Sequence, residues 1–280
     1  MAEFIKDGFS FFDGFFGENV FNLNNLEENT LNYLITNKIK NVSIDNSIVE
    51  YDFFEKLDFI EEIYFSNNIA PEVIYQLKNL KRIVINIGKK KNFIDFSKFP
   101  KLEILSIDWY NNFPDLSKNE HLKELSIWKF KPKSKSLEEL KLPDKLEKLH
   151  ITESNILNLE GLALKSLKEF EGHYCNSLDT LKGIKDTGKN LEVLVLDYCR
   201  KLTNYDELKF CKELKKIILG NSGDIPSLNW LNELKEVKHF SFWNTKLIDG
   251  DTSSCFGIEY VSFKNQKHYN HKEEEFGNIR

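Results

Sequence analysis

The sequence predicts an α/β solenoid: a parallel, concave sheet of about eleven short strands, with short helices or 3₁₀ turns on the convex side. Three observations lead there. First, an apolar residue that anchors a short apolar stretch recurs as Val42, Ile63, Ile83, Leu105, Leu125, Leu149, Phe170, Leu194, Ile217, Phe240 and Val261, at intervals of 20 to 24 residues. Second, nearly every anchor is followed two residues later by another apolar residue, as in Leu125 and Ile127. Side chains two apart on a strand point the same way, so each pair enters a core while its neighbours face the opposite side. Third, the chain of 280 residues is 41% hydrophobic and 30% charged. A repeat array can bury a core at that length because each repeat packs only on its neighbours.

The strands carry a recognisable signature. Leu122-x-x-Leu125-x-Ile127, Leu146-x-x-Leu149-x-Ile151 and Leu191-x-x-Leu194-x-Leu196-x-x-Cys199 spell L-x-x-L-x-L-x-x-N/C. The chain therefore resembles the leucine-rich-repeat superfamily over most of its length, in the short-repeat, freestanding bacterial form. The ninth motif position usually satisfies backbone groups where the chain leaves the strand. Here it reads Ser47, Asn68, Gly88, Tyr110, Phe130, Ser154, Cys175, Cys199, Ser222, Thr245 and Gln266. Gly88, Tyr110 and Phe130 break this ladder and predict irregular turns in repeats three to five. Gly172 replaces the second strand leucine of the seventh repeat, whose strand is the weakest of the set.

Three regions follow: an N-terminal aromatic cap over 1–38, the repeat array over 39–264, and a capping tail over 265–280. Phe11 to Phe16 reads as a tight turn between short strands, Phe21-x-Leu23 as a degenerate strand before the first repeat, and Glu27–Thr36 as a helix. The N-terminal phenylalanines are expected to plug the open end of the core. Pro71 and Ser227 mark helix starts on the return side. In the tail, Tyr269, Phe276 and Ile279 are available to cover the last repeat, and His268 and His271 are read as solvated.

Net charge is −5, from 39 basic and 44 acidic residues. Nucleic-acid binding needs a concentrated positive surface, so no such partner is expected, and the Lys89–Lys91 run reads as a solvated loop. No apolar run approaches the roughly 20 residues of a membrane span. The start lacks a basic segment followed by an unbroken apolar run, so a cytoplasmic location is expected. Cofactor and hydrolase signatures are absent from the sequence; no cofactor, metal ligand set or catalytic residue is assigned, and the chain is read as non-enzymatic. The four cysteines fall on ladder and core positions and read as buried free thiols.

Residues one before, one after and three after each anchor should face the concave side. This places Tyr64, Asp108, Trp128, His150, Glu171, His173, Asp197 and Trp243 there, with Trp109 and Tyr198 just beyond the last column. Aromatic side chains on an exposed sheet dominate protein–protein binding energy, so these ten residues form the expected partner-binding set. Carboxylates slightly outnumber bases, which favours one cognate protein with a basic surface, bound by a chain that is monomeric when free. His150, Glu171 and His173 should be neighbours, and a metal or acid–base role is the competing reading for them.

The closing segment, Asp249-Gly250-Asp251 through Phe263 to Gln266–Lys272, resembles the ends of bacterial leucine-rich-repeat proteins, some of which are thought to act as antidotes to secreted toxins. That resemblance implies neutralisation of a cognate toxin as one concrete role. A scaffold or regulatory subunit is the alternative.

Overall fold

The computed structural model describes residues 3–14, 19–45, 47, 48, 50–66, 70–86, 93–187 and 189–276. It divides into two compact units, Met1–Lys123 and Glu124–Arg280. The ladder positions Asn68 and Gly88, the Lys89–Lys91 run and Ile279 lie outside the described residues.

In the first unit the strands run β1 (Glu3–Lys6), β2 (Phe9–Asp13), β3 (Asn19–Leu23), β4 (Asn41–Ile44), β5 (Glu62–Ser66), β6 (Arg82–Asn86) and β7 (Ile104–Asp108). From β3 onward they are parallel, with Phe21, Val42, Ile63, Ile83 and Leu105 paired in succession. All five anchors are fully buried. The degenerate strand expected at Phe21-x-Leu23 is thus β3. Helix α1 (Glu28–Thr36) follows it, and α2 (Pro71–Ile74) starts with proline at its first turn, where the missing N–H has no helical partner to lose.

The N-terminus holds a turn the sequence reading missed. Strands β1 and β2 pair antiparallel, Lys6 opposite Phe9. The two-residue connection is Asp7-Gly8, both with positive φ, 53° and 84°, the hairpin geometry that Asp-Gly favours. The reversal expected at Asp13-Gly14 also exists, since β2 and β3 are antiparallel, but residues 15–18 within it lie outside the described set.

The second unit contains β8 (Glu124–Trp128), β9 (Lys148–Thr152), β10 (Glu169–His173), β11 (Val193–Asp197), β12 (Lys216–Gly220), β13 (His239–Trp243) and β14 (Tyr260–Phe263). All are parallel and in register, with anchors Leu125, Leu149, Phe170, Leu194, Ile217, Phe240 and Val261 side by side and fully buried. Return segments are single 3₁₀ turns such as Ile184–Asp186, Asp206–Phe210 and Asn229–Glu233, which is what a repeat of 20 to 24 residues has room for. The seventh-repeat strand is intact. A Cβ on Gly172 would lie 3.0 Å from Leu196 Cδ2 and 3.8 Å from Cys175 Sγ, so neighbouring side chains fill the space a leucine would take.

Each strand of this unit up to β13 ends the same way. The residue four after the anchor takes a left-handed conformation: Lys129, Glu153, Tyr174, Tyr198, Asn221 and Asn244. Except for Asn244, the N–H of each donates to the last strand carbonyl of the next repeat, at 2.8 to 3.0 Å. The following side chain then turns inward. Ser154 Oγ donates to Phe130 O at 2.6 Å, Ser222 Oγ to Leu196 O at 3.2 Å, and Thr245 Oγ1 accepts from Ser222 N at 2.9 Å. The fifth-repeat turn, expected to be irregular, keeps this geometry, with buried Phe130 in the ladder slot. In the fourth repeat the left-handed residue is Asn112 instead of Trp109, so that turn does depart.

A second ladder runs along the other strand end, two residues before the anchors. It reads Lys40, Glu61, Lys81, Glu103, Lys123 in the first unit and Glu147, Lys168, Glu192, Lys215, Lys238, Glu259 in the second. Opposite charges pair between consecutive repeats: Lys40–Glu61 at 2.7 Å, Lys81–Glu61 at 2.8 Å, Lys168–Glu147 at 2.9 Å and Lys215–Glu192 at 2.9 Å.

Candidate functional site: the open face of the sheet

Because inward and outward residues alternate, burying the anchors leaves the intervening side chains on the open face. In the second unit three exposed aromatics lie at the ends of the strands: Trp128 is 42% exposed, Tyr174 46% and Trp243 40%, while Phe210, Phe256 and Tyr260 are exposed elsewhere. Tyr174 and Tyr198 occupy the same left-handed position of consecutive repeats. Their rings therefore repeat at nearly the strand spacing and stack at 4.5 Å with 9° between planes. Arg200 lies 5.5 Å from the Tyr198 ring centroid. Trp243 lies against Gly220, where an added Cβ would stand 2.5 Å from its ring and 2.6 Å from Asp197 Oδ1. Asp197 Oδ1 also accepts from Asn221 Nδ2 at 2.9 Å. The repeat spacing places Gly220 between Asp197 and Trp243 in one column, but does not reveal the contact that its missing side chain allows.

At the centre of this face β9 and β10 set Glu171 opposite His150, Glu169 opposite Lys148, and His173 opposite Thr152. The three expected residues do come together, and Glu169 joins them. His173 Nε2 is 2.9 Å from Glu171 Oε2, His150 Nε2 is 3.4 Å from Glu169 Oε1, and Lys148 Nζ is 3.2 Å from Glu169 Oε2. The His173 hydrogen bond, aided by the charges of both imidazoles and opposed by partial burial, holds the Glu171 carboxyl below the usual carboxylate range. Nearby on the same face, burial and then Lys216 push His239 below the ordinary imidazole value.

In the first unit the expected set changes. Tyr64 is buried, 6% exposed, because Phe12 from the N-terminal hairpin reaches over the open face and meets its ring edge-on at 5.7 Å. The hairpin therefore covers part of the open face, while Phe11 and Phe21, 5.3 Å apart and edge to face, line the core side. Beside Tyr64, Glu62 and Arg82 form a largely buried ion pair at 2.8 Å. Asp108 and Trp109 are half-buried, and the Trp109 indole stacks on Phe113 at 4.8 Å.

The four thiols are free and buried. Burial pushes Cys211 and Cys255 up to about 12, and a hydrogen bond with Cys175, then burial, raises Cys199, so these three thiols are poor nucleophiles. Tyr269 and Phe276 of the C-terminal segment are buried, while His268 stays exposed with one ring nitrogen on the backbone. His268 Nε2 lies 2.8 Å from Leu247 O, and Tyr269 Oη accepts from Leu247 N at 2.9 Å. His271 Nδ1 lies 3.1 Å from Glu275.

In-register parallel strands, one per repeat, with buried anchors and 3₁₀ returns are the leucine-rich-repeat solenoid architecture. No family model matches the chain, and no curated protein matches it. Among solved structures it is similar to an internalin, InlF, from Listeria monocytogenes, with 14% identity over 89% of this chain and 82% of that one and a TM-score of 0.49. Internalin C2 from the same organism gives 16% identity, 75% and 84% coverage and a TM-score of 0.48. The leucine-rich-repeat domain of the type III effector XopL gives 17%, 68% and 71%, and 0.44. Among the described residues no helix is long and apolar enough to cross a membrane.

Proposed function

We propose that the chain is a non-enzymatic protein-binding module whose partner docks on the open face of residues 124–280. The observation that carries this is the exposure of Trp128, Tyr174 and Trp243 along one strand edge. Large aromatic side chains held by a rigid sheet lose little entropy on binding and supply hot-spot energy. Five strand spacings of about 4.8 Å make this row roughly 24 Å long, enough to seat a small globular protein. His150, Glu171, His173, Asp197 and Tyr198 lie in and beside the row. Glu124, Glu169, Glu171 and Asp197 put carboxylates along this face, so we read the partner surface as basic. Tyr64 leaves the set because Phe12 covers it. The concrete form of this reading is a cytoplasmic, monomeric chain that binds one cognate toxin and neutralises it; the resemblance of the closing segment supports that role.

The test is a pull-down from the source cells, followed by titration of the recovered protein against wild type and a Trp128→Ala, Asp197→Ala double variant. A one-to-one complex is expected, weakened roughly 30-fold or more in the double variant, since a hot-spot side chain contributes about 2 kcal/mol or more. If the partner is toxic, co-expression with wild type restores growth and co-expression with the variant does not. Normal binding by a folded double variant overturns the reading.

A further inference from the structure

We propose that His150, Glu169 and Glu171 form a binding site for a divalent transition-metal ion of the zinc class. One ligand atom from each of the three lies within 4.8 Å of the other two. The chemistry of the set, one imidazole and two carboxylates, is that of open zinc sites with three protein ligands.

The distances favour a metal over a simple ion pair. A charge-assisted N–H to carboxylate hydrogen bond closes to about 2.7–2.9 Å, as His173 and Glu171 do at 2.9 Å. His150 Nε2 instead stands 3.4 Å from Glu169 Oε1, and this buried nitrogen makes no hydrogen bond. Ligand bonds of about 2.0–2.2 Å at tetrahedral angles place two ligand atoms about 3.3–3.5 Å apart. The His150–Glu169 pair already has that separation, and the Glu171 ligand atom, within 4.8 Å of both, closes on them by side-chain rotation.

The surroundings complete the argument. Ser126 Oγ lies 3.5 Å from His150 Nδ1; a proton held there leaves the Nε2 lone pair aimed at the carboxylates. His173 lies against Glu171 Oε2, and Lys148 against Glu169 Oε2. These contacts orient the ligands as outer-shell partners do. On the far side β11 sets Val193 beside Glu169 and Val195 beside Glu171, so no competing donor stands there. The fourth position faces the open side of the sheet.

The experiment is calorimetric titration of the full chain, freed of metal by chelator, with Zn2+, and optical titration with Co2+. Wild type should bind one ion, with the visible bands of tetrahedral Co2+ and no thiolate charge-transfer band. His150→Ala and Glu171→Gln should abolish binding. His173→Gln should weaken it about 10- to 100-fold, as loss of an outer-shell partner does. His271→Asn, in a histidine–carboxylate pair away from this site, should leave it unchanged. Glu171→Gln preserves size and sits on the open face, so its melting curve reports that the fold survives. As a check independent of any variant, Zn2+ should raise the melting temperature of wild type. No binding by wild type, or binding untouched by His150→Ala and Glu171→Gln, overturns the proposal and leaves the group as an ion-pair cluster.

Discussion

Gly220 shows what one residue does for the candidate binding face. It sits within β12, outside the left-handed region, so it provides space and not backbone freedom. Its missing Cβ is what lets the Trp243 ring lie against the strand beside Asp197. Gly223, three residues on, is different: an added Cβ would stand 1.9 Å from the backbone oxygen of Leu202. The two glycines should therefore respond differently to alanine. Gly220→Ala should move the Trp243 ring, change tryptophan emission and weaken partner binding, with a stability change within about 0.5 kcal/mol. Gly223→Ala should cost about 1–3 kcal/mol, as overpacking against backbone does. Equal destabilisation of the two in urea unfolding would mean that Trp243 is not free to move. Single residues were also where sequence reading reached its limit. Alternation placed Tyr64 on the open face correctly but could not show that Phe12, 52 residues earlier, covers it. The His150–Glu171 neighbourhood was legible from repeat spacing. The approach of Glu169 to His150 was not, because it is a diagonal contact set by rotamers across two strands.

At the level of elements, the anchors were legible because burial imposes a period of two along each strand and one strand per repeat. The Asp7-Gly8 hairpin was equally present in the residues, yet the denser phenylalanine run around Asp13-Gly14 drew the turn there. Gly172 weakened the seventh strand on paper, whereas register with β9 and β11 holds it. The Lys/Glu row two residues before the anchors, which alternates except at Lys215 and Lys238, becomes visible only once the repeats are aligned, and it gives most strand edges an electrostatic preference for their neighbour. Glu61 is its best case, since hydrogen bonds from Lys40 and then Lys81 hold its carboxyl below the usual range. A depressed folded-state value means the stabilisation is present above the unfolded carboxylate value of about 4.3 and is lost as pH falls through the lower folded value. Glu61→Gln should therefore cost roughly 0.5–1 kcal/mol at pH 7, given that exposed pairs are worth about 0.2–1 kcal/mol each. The difference from wild type should close as pH falls through the lowered folded value and shrink in 1 M salt, where the Debye length is about 3 Å. A deficit unchanged by pH and salt in urea midpoints would assign the loss to packing.

For the molecule as a whole, a solenoid pays for its open-ended growth at its two ends, where the last repeat would expose core to water. At the C-terminal end residues 265–276 supply the cover. Tyr269 and Phe276 are buried, 3% and 4% exposed. The Tyr269 ring lies 5.7 Å from Phe263 and 6.4 Å from Phe242, and the Phe276 ring 5.8 Å from Phe263. Polar contacts fix the segment in place. Asn270 Oδ1 accepts from the N–H and hydroxyl of Thr252 at 2.8 and 2.9 Å, and Lys272 Nζ donates to Gln266 O and Tyr269 O at 2.9 and 2.6 Å. Gly250, with φ of 71°, allows the chain to pass because any Cβ there would stand 2.5 Å from His268 O. This segment is proposed to act as a cap, with an energetic signature of its own. Tyr269→Ala removes a buried ring and should cost about 3–5 kcal/mol, by analogy with buried aromatic truncations. Tyr269→Phe loses only the hydrogen bond to Leu247 N and should cost about 1–2 kcal/mol. Hydrogen exchange should localise the effect of Tyr269→Ala to amides of β13 and β14, with β8 to β10 protected nearly as in wild type, since a repeat array communicates through nearest neighbours. Loss of protection spread evenly over residues 124–280 would instead show that the unit unfolds as one cooperative block and that the tail stabilises all of it.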